Sequence, residues 1–289
     1  MSSQALAPTA AEADAVLSKV RIVLVRPRGA ANVGAAARAM SNLGLGDLVL
    51  VRPALRRLAA AERMAVHARA LVRNARVVDD LRDAVADCRL IVGTTCRRGG
   101  YRAAVEPIDG LACEVLGRTG AGAVAIVFGP EDHGLSNDDL RHCHRLCAID
   151  TSATYPSLNL AQAVLVVCWE LRRAALAGAV RAPATTAAPA EAVQQLYDHL
   201  ERALLAIGFL GPQTAEHGMF ALRALFGRAA LSDHEVRTLR GVARQIEWAA
   251  RNGRARPAPE PSAPVDRSAP ADRNCAESSG GEKSGAALG

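Results

Sequence analysis

Three short runs of small and polar residues hold the side chains and backbone best suited to chemistry. The first is Asn32-Val33-Gly34-Ala35-Ala36-Ala37-Arg38. The second is Phe128-Gly129-Pro130-Glu131-Asp132-His133-Gly134-Leu135-Ser136, and the third is Tyr155-Pro156-Ser157-Leu158-Asn159-Leu160-Ala161-Gln162-Ala163. Each follows a strand-like apolar run and leads into a helix. In α/β proteins ligands settle at the carboxyl ends of strands, where such loops gather and helix N-termini point at them. The second and third runs therefore predict one pocket. A glycine such as Gly129 lets backbone approach a ligand closely, because it carries no Cβ. Asn32, Ser157 and Asn159 are each either ligand-facing donors or helix caps, since their side chains serve both purposes.

Other chemistries fit poorly. The stretch Gly29 to Gly34 is not GxGxxG and no Gly-Lys-Ser/Thr follows, which disfavours dinucleotide and nucleoside-triphosphate sites. His142, Cys143, His144 and Cys147 are metal-ligand types. Their spacing matches no zinc pattern, and successive residues on a helix face different ways, so no metal is expected.

The elements that must position these residues alternate. Short apolar runs predict strands at 21–25, 48–51, 76–78, 90–92, 123–128 and 146–149, with helices between them. Asn32 is expected to cap the helix after the first strand and Gly44 to end it. Ser136 with Asp139 has capping-box spacing, and a long helix runs over 159–177. This pattern means an α/β domain, a parallel sheet with helices on both faces, over 20–178. Residues 1–19 read as a flexible N-terminal arm and 179–190 as a Pro-containing linker. Residues 191–252 are helical throughout: Leu196, Leu200, Leu204 and Ile207 recur at helical spacing, as do Val236, Leu239, Val242 and Ile246. Residues 253–289 are Pro-, Ala-, Ser- and Gly-rich and read as a disordered tail.

Half of the 289 residues are hydrophobic, and the net charge of +6 is compatible with a polyanionic partner. Seven scattered cysteines with no CxxC pair argue against a disulfide framework and for a reducing, cytoplasmic setting. No basic leader opens the chain, and the longest apolar helix candidate is too short to cross a bilayer, so no membrane association is expected.

The three runs, in this order, resemble the motifs of the SpoU branch of the knotted SPOUT RNA methyltransferases: Asn-x-Gly-x-x-x-Arg, Gly-x-Glu-x-x-Gly-Leu and Ser-Leu-Asn-Leu. In the helical region, Gln195-Leu196-Tyr197-Asp198-His199-Leu200 and Leu239-Arg240-Gly241 resemble the extension of the TrmJ-like tRNA methyltransferases. The resemblance implies a C-terminal trefoil knot within the sheet domain and a homodimer. It also implies S-adenosyl-L-methionine as methyl donor, held mainly by backbone at Thr94, Thr95, Cys96, Gly129, Ile149, Pro156, Ser157 and Leu158. The implied catalytic set is Arg38, Glu131, Ser157, Asn159 and Asn32. Arg38 would act on the target phosphate and hydroxyl; because a guanidinium stays protonated, clamping and charge stabilisation suit it better than proton abstraction. Glu131 would organise the second loop.

The implied substrate is tRNA, with methylation of the ribose 2′-hydroxyl of cytidine or uridine at position 32 of the anticodon loop. The rivals are a SpoU enzyme for rRNA or another tRNA position, and a non-catalytic knotted RNA-binding protein. Two residues depart from the TrmJ-like pattern: Pro130 replaces a basic residue and Pro156 a serine, and proline has no N–H to donate. Arg97, Arg98 and Arg102 around Gly99-Gly100 suit RNA phosphates, or form a merely solvated loop. On this reading the arginines of 191–252 (Arg223, Arg228, Arg237, Arg240, Arg244 and Arg251) supply tRNA affinity, and truncation at the linker leaves the cofactor pocket formed.

Overall fold

The computed structural model describes residues 8–55, 58–97, 105–178 and 186–253. Seven strands form one sheet: β1 (Val20–Val25), β2 (Asp47–Val51), β3 (Arg76–Val78), β4 (Leu90–Thr94), β5 (Val105–Pro107), β6 (Val124–Phe128) and β7 (Arg145–Ala148). Their order is β3-β2-β1-β6-β4-β7-β5, and every pairing is parallel. The central strands β1 and β6 are buried along their whole length and apolar except for Arg21, which pairs with Asp47 and Asp87, as a sheet covered by helices on either side requires. The short edge strand β5 was not expected; it has three residues and ends in a proline.

One face is covered by α1 (Ala10–Leu17), α2 (Ala30–Asn42), α3 (Leu58–Ala65), α4 (Arg69–Arg73), α6 (Ile108–Arg118) and α8 (Leu160–Leu176). The other is covered by α5 (Leu81–Val85) and α7 (Asn137–Leu140). The helical extension comprises α9 (Ala190–Ala206), α10 (Ala215–Ala229) and α11 (Asp233–Arg251). It has its own core around Leu196, Tyr197 and Leu200. Ala190 and Phe220 also join the core of the second sheet face. The extension therefore helps to close the sheet domain.

Two local expectations are corrected. Residues 10–17 are not a loose arm: Thr9 and Glu12 form a capping box, and Ala13 and Leu17 are buried as α1 packs against α8. Asn32 does not cap α2, which begins earlier with Gly29 as its N-cap and places Asn32 in the third helical position. Gly44 does follow the end of α2, at φ +84°. Among the described residues, no helix is long and apolar enough to cross a membrane. Residues 98–104, including Arg98 and Arg102, and the tail from 254 lie outside the described residues.

Candidate active site

Because β1, β6, β4 and β7 are parallel neighbours, the segments that follow them emerge at one edge of the sheet. Those after β4, β6 and β7 enclose a cavity of about 320 Å³, within the range of about 300–1,000 Å³ common for small-molecule sites. Thr94, Thr95, Cys96, Gly129, Ile149, Pro156, Ser157 and Leu158 all line it, and so does Glu131. Phe128, Leu135, Leu160 and Ala163, which lie in the second and third runs but were given no role there, add an apolar wall with Cys147, which lies outside the runs.

Local hydrogen bonds fix the cavity rim. Thr94 Oγ1 donates to the Val127 carbonyl at 3.0 Å, and the Thr95 N–H donates to the Cys147 carbonyl at 2.9 Å. These two bonds join the ends of three strands. The Gly134 N–H donates to the Pro130 carbonyl at 2.9 Å, which folds the second loop back on itself. A Cβ on Gly129 would stand 2.2 Å from the Gly134 carbonyl carbon and the Leu135 nitrogen, so the turn admits only glycine there. The Arg97 guanidinium closes the lip by donating to the His133 carbonyl. Gly34 has a different task. A Cβ there would meet the Ala61 oxygen and Met64 Cβ at 2.6 Å, so it permits close packing of α2 on α3.

The three motifs are joined through Asn32. Its Nδ2 donates to Glu131 Oε1 at 2.8 Å, and its Oδ1 accepts from Asn159 Nδ2 at 3.0 Å. Glu131 also accepts the N–H groups of Gly29 and Arg28, each at 3.0 Å. A carboxylate from a loop about one hundred residues away thus holds the two residues that lead into α2, beside the helix N-terminus, where the helix dipole favours negative charge. Burial works to raise the pKa of Glu131, but the bonds from Asn32, Gly29 and Arg28 outweigh it and hold the group below the usual carboxylate range. A carboxylate so stabilised is a poor base and a good structural anchor.

Asn159 is both ligand to Asn32 and N-cap of α8, accepting from the Ala161 N–H at 2.9 Å. Ser157 is not a cap; it lies two residues before that position and faces the cavity. Arg38 does not line the cavity. It is exposed on α2, about 9 Å along the helix axis from Asn32, and has no hydrogen-bond or ion-pair partner among the described residues. A second tie escaped sequence reasoning: Arg26, just past β1, pairs with buried Asp139 at 2.5 Å. Nothing in the sequence links positions so far apart.

Nucleophilic catalysis by Cys147 is disfavoured, since burial pushes its thiol up to about 12. His144 is pushed down to about 4 by burial and then by Arg223, and its Nδ1 accepts from the Ile91 N–H at 3.3 Å. Among the described residues no three His, Cys, Asp or Glu side chains gather as metal ligands.

The SpoU rRNA Methylase family model matches residues 19–169, and the model of the C-terminal domain of tRNA methyltransferase TrmJ matches residues 191–256. A Klebsiella pneumoniae protein named tRNA (cytidine/uridine-2′-O-)-methyltransferase TrmJ is 40% identical over 240 residues, covering 80% of this chain and 98% of its own. A Pseudomonas aeruginosa protein named tRNA (cytidine/uridine/adenosine-2′-O-)-methyltransferase TrmJ is 36% identical over 248 residues, covering 82% and 96%. The crystal structure of TrmJ from Z. mobilis aligns with a TM-score of 0.68 at 34% identity, covering 78% of this chain and 98% of that one.

Proposed function

Because the chain belongs to the SpoU methylase family, in its TrmJ-like branch, we propose that it is an S-adenosyl-L-methionine-dependent tRNA 2′-O-methyltransferase. Its target in this reading is the ribose of cytidine or uridine at position 32 of the anticodon loop. The observation that carries the reading is the convergence of the loops after β4, β6 and β7 on one cavity, with α2 and Arg38 fastened beside it through Asn32.

The residues fit such a donor. The cavity has the size of a small-molecule site, and Gly129 lets the second loop turn tightly at its wall. Residues 94–96, Gly129, Ile149 and 156–158 would hold the cofactor. When bound, it supplies a methyl group activated by its sulfonium leaving group. A ribose hydroxyl is a poor nucleophile, so the protein's task is in-line positioning, which contributes on the order of 7–11 kcal/mol at best. Arg38, always protonated, clamps the target phosphate and relieves developing charge. Ser157 orients the reacting groups from the cavity wall, while Glu131, Asn32 and Asn159 hold the motifs in register.

The same proposal includes the trefoil knot, the extension at 191–252 as the source of tRNA affinity, a cytoplasmic location and a homodimer. On α8, Val164 and Cys168 are buried within the chain, whereas Leu165 and Trp169 stay 46% and 55% exposed and suit a second copy. The test is incubation of unmodified tRNA with the protein and the donor, followed by nuclease digestion and mass spectrometry. A 2′-O-methyl nucleoside at position 32 is expected. No methylation of any tRNA, with rRNA fragments methylated instead, would overturn the tRNA assignment.

A further inference from the structure

Methyl transfer to a ribose hydroxyl leaves a proton to be removed, and the groups that hold the three motifs together offer it no acceptor. Arg38 and Arg97 stay protonated. Glu131 spends its oxygens on Asn32, Gly29 and Arg28. Cys96 and Cys147 are thiols, which must lose their own proton before they can accept one. Among the described titratable residues that line the cavity, this leaves Asp132 and His133 on the second loop.

These two form a pair. His133 Nδ1 donates to Asp132 Oδ1 at 2.6 Å, and Asp132 Oδ2 accepts from Arg28 at 2.5 Å. Desolvation works to raise the pKa of Asp132, but loop N–H groups and the charges of Arg28 and His133 outweigh it and hold the carboxyl below the usual range. An ionised carboxylate on Nδ1 fixes the tautomer of the ring and leaves a lone pair on Nε2. That nitrogen has no partner among the described residues. The backbone is tied as well: the His133 carbonyl accepts from Arg97, and the Gly134 N–H donates to the Pro130 carbonyl. Ring and backbone are both held, while 49% of the side chain stays exposed. Through Asp132 the imidazole is also linked to Arg28, just before α2, the helix that bears Arg38. An imidazole oriented by a carboxylate on a cavity wall is an arrangement suited to proton abstraction.

We propose that His133 is the general base of the reaction, its Nε2 accepting the proton of the target 2′-hydroxyl. The proposal rests on the methyltransferase reading above. In that step the 2′-oxygen bonds the methyl carbon as the carbon–sulfur bond breaks and its electron pair stays on sulfur. The hydroxyl proton moves to Nε2. The imidazolium so formed, beside the Asp132 carboxylate and open to solvent, passes it to water. Arg38 keeps its separate task on the phosphate.

The experiment measures single-turnover methyl transfer to tRNA by the full-length chain at saturating donor and RNA. A positioned base contributes about 10²–10⁴-fold, so His133→Ala should lower the rate by about a hundredfold or more. Its affinities for S-adenosyl-L-methionine and tRNA should stay within about twofold of the parent's. Added imidazole should restore part of the rate in proportion to its concentration. His133→Gln, which can still donate to Asp132 but takes up no proton, should be as slow as His133→Ala. Near-parent rates in either variant, a loss traced to weakened donor or tRNA affinity, or a slow His133→Ala that imidazole leaves unchanged would overturn the base and leave the methyltransferase reading standing. A parent chain that methylates no RNA would take both down.

Discussion

Glu131→Gln tests whether the carboxylate is an anchor. The substitution keeps size and one acceptor oxygen but turns the other into a donor. If the amide oxygen keeps Gly29 and Asn32, the new NH2 confronts the Arg28 N–H, which now bonds at 3.0 Å. One bond is lost, and two pass from a charged to a neutral acceptor. Bonds to charged groups contribute about 1.5–3 kcal/mol each when well buried. With Glu131 only half-buried, we discount the total to about 2 kcal/mol. For a chain of this size that lowers the thermal midpoint by about 4–8 °C. The folded pKa is depressed, so this stabilisation is fully present above the unfolded value of about 4.3. It is lost as pH falls through the folded value. Scanning calorimetry should therefore show variant and parent apart at neutral pH and converging in acid. Methyl transfer at 25 °C, where both remain folded, should fall at least about tenfold, because misplacement of the three motifs alone costs that much. An unchanged midpoint at neutral pH, or a gap that persists undiminished in acid, would refute the anchor.

Arg38→Ala should abolish most methyl transfer while leaving donor affinity within about twofold, since Arg38 lies outside the cavity wall; near-normal turnover on tRNA would make it a surface residue. Calorimetric binding of S-adenosyl-L-methionine should be unaffected by EDTA, and loss of binding with chelator would point to an ion. Trp169→Glu should shift the protein from dimer to monomer in light scattering and lower activity with it, whereas a parent chain that is monomeric and active at micromolar concentration would remove the dimer. A chain ending at residue 178 should bind the donor poorly as well as tRNA; full donor affinity would show that the extension leaves the cavity untouched.

The sheet was legible because buried parallel strands are continuous apolar runs, which need no partner to be recognised. The cavity residues of the second and third runs are legible through local motifs, whereas Thr94, Thr95, Cys96 and Ile149 lie in no motif and follow only from the family resemblance. What escaped was long-range. The type and place of Asn32 suit a cap, but its side chain instead bonds Glu131 and Asn159 from distant loops, and no local pattern reports that. Ser157 was open to the same reading and proves to precede the true cap. For residues 10–17 a local signal does exist, because Thr9 and Glu12 carry capping-box spacing. Arg223 misled differently. Its position four residues from both Met219 and Gly227 places it on the buried side of α10, yet residue type suggested solvent. At this position helical periodicity, not charge, decides burial.

Arg223 also explains why the linker does not separate two independent bodies. The residue is 7% exposed, and its guanidinium lies 4.4 Å over the Tyr197 ring and donates to the Arg141 carbonyl and Gln194 Oε1, each at 2.9 Å. Its Nε has no partner among the described residues, and an unmatched buried donor costs about 1–3 kcal/mol. The helix bearing it is seated further by Gly227, whose absent Cβ would stand 2.3 Å from the His144 carbonyl oxygen. Residues 141–144 join α7, which follows the second cavity loop, to β7, whose far end lines the same cavity. The Ala190 and Glu191 N–H groups donate to the Cys88 and Ala86 carbonyls, and Arg82 pairs with Glu191 at 2.8 Å. Removing the extension would uncover the second sheet face and release the segment between two walls of the cavity. Truncation at the linker is therefore expected to disturb the pocket rather than spare it, because the extension and the segments that carry the cavity loops form one packed unit.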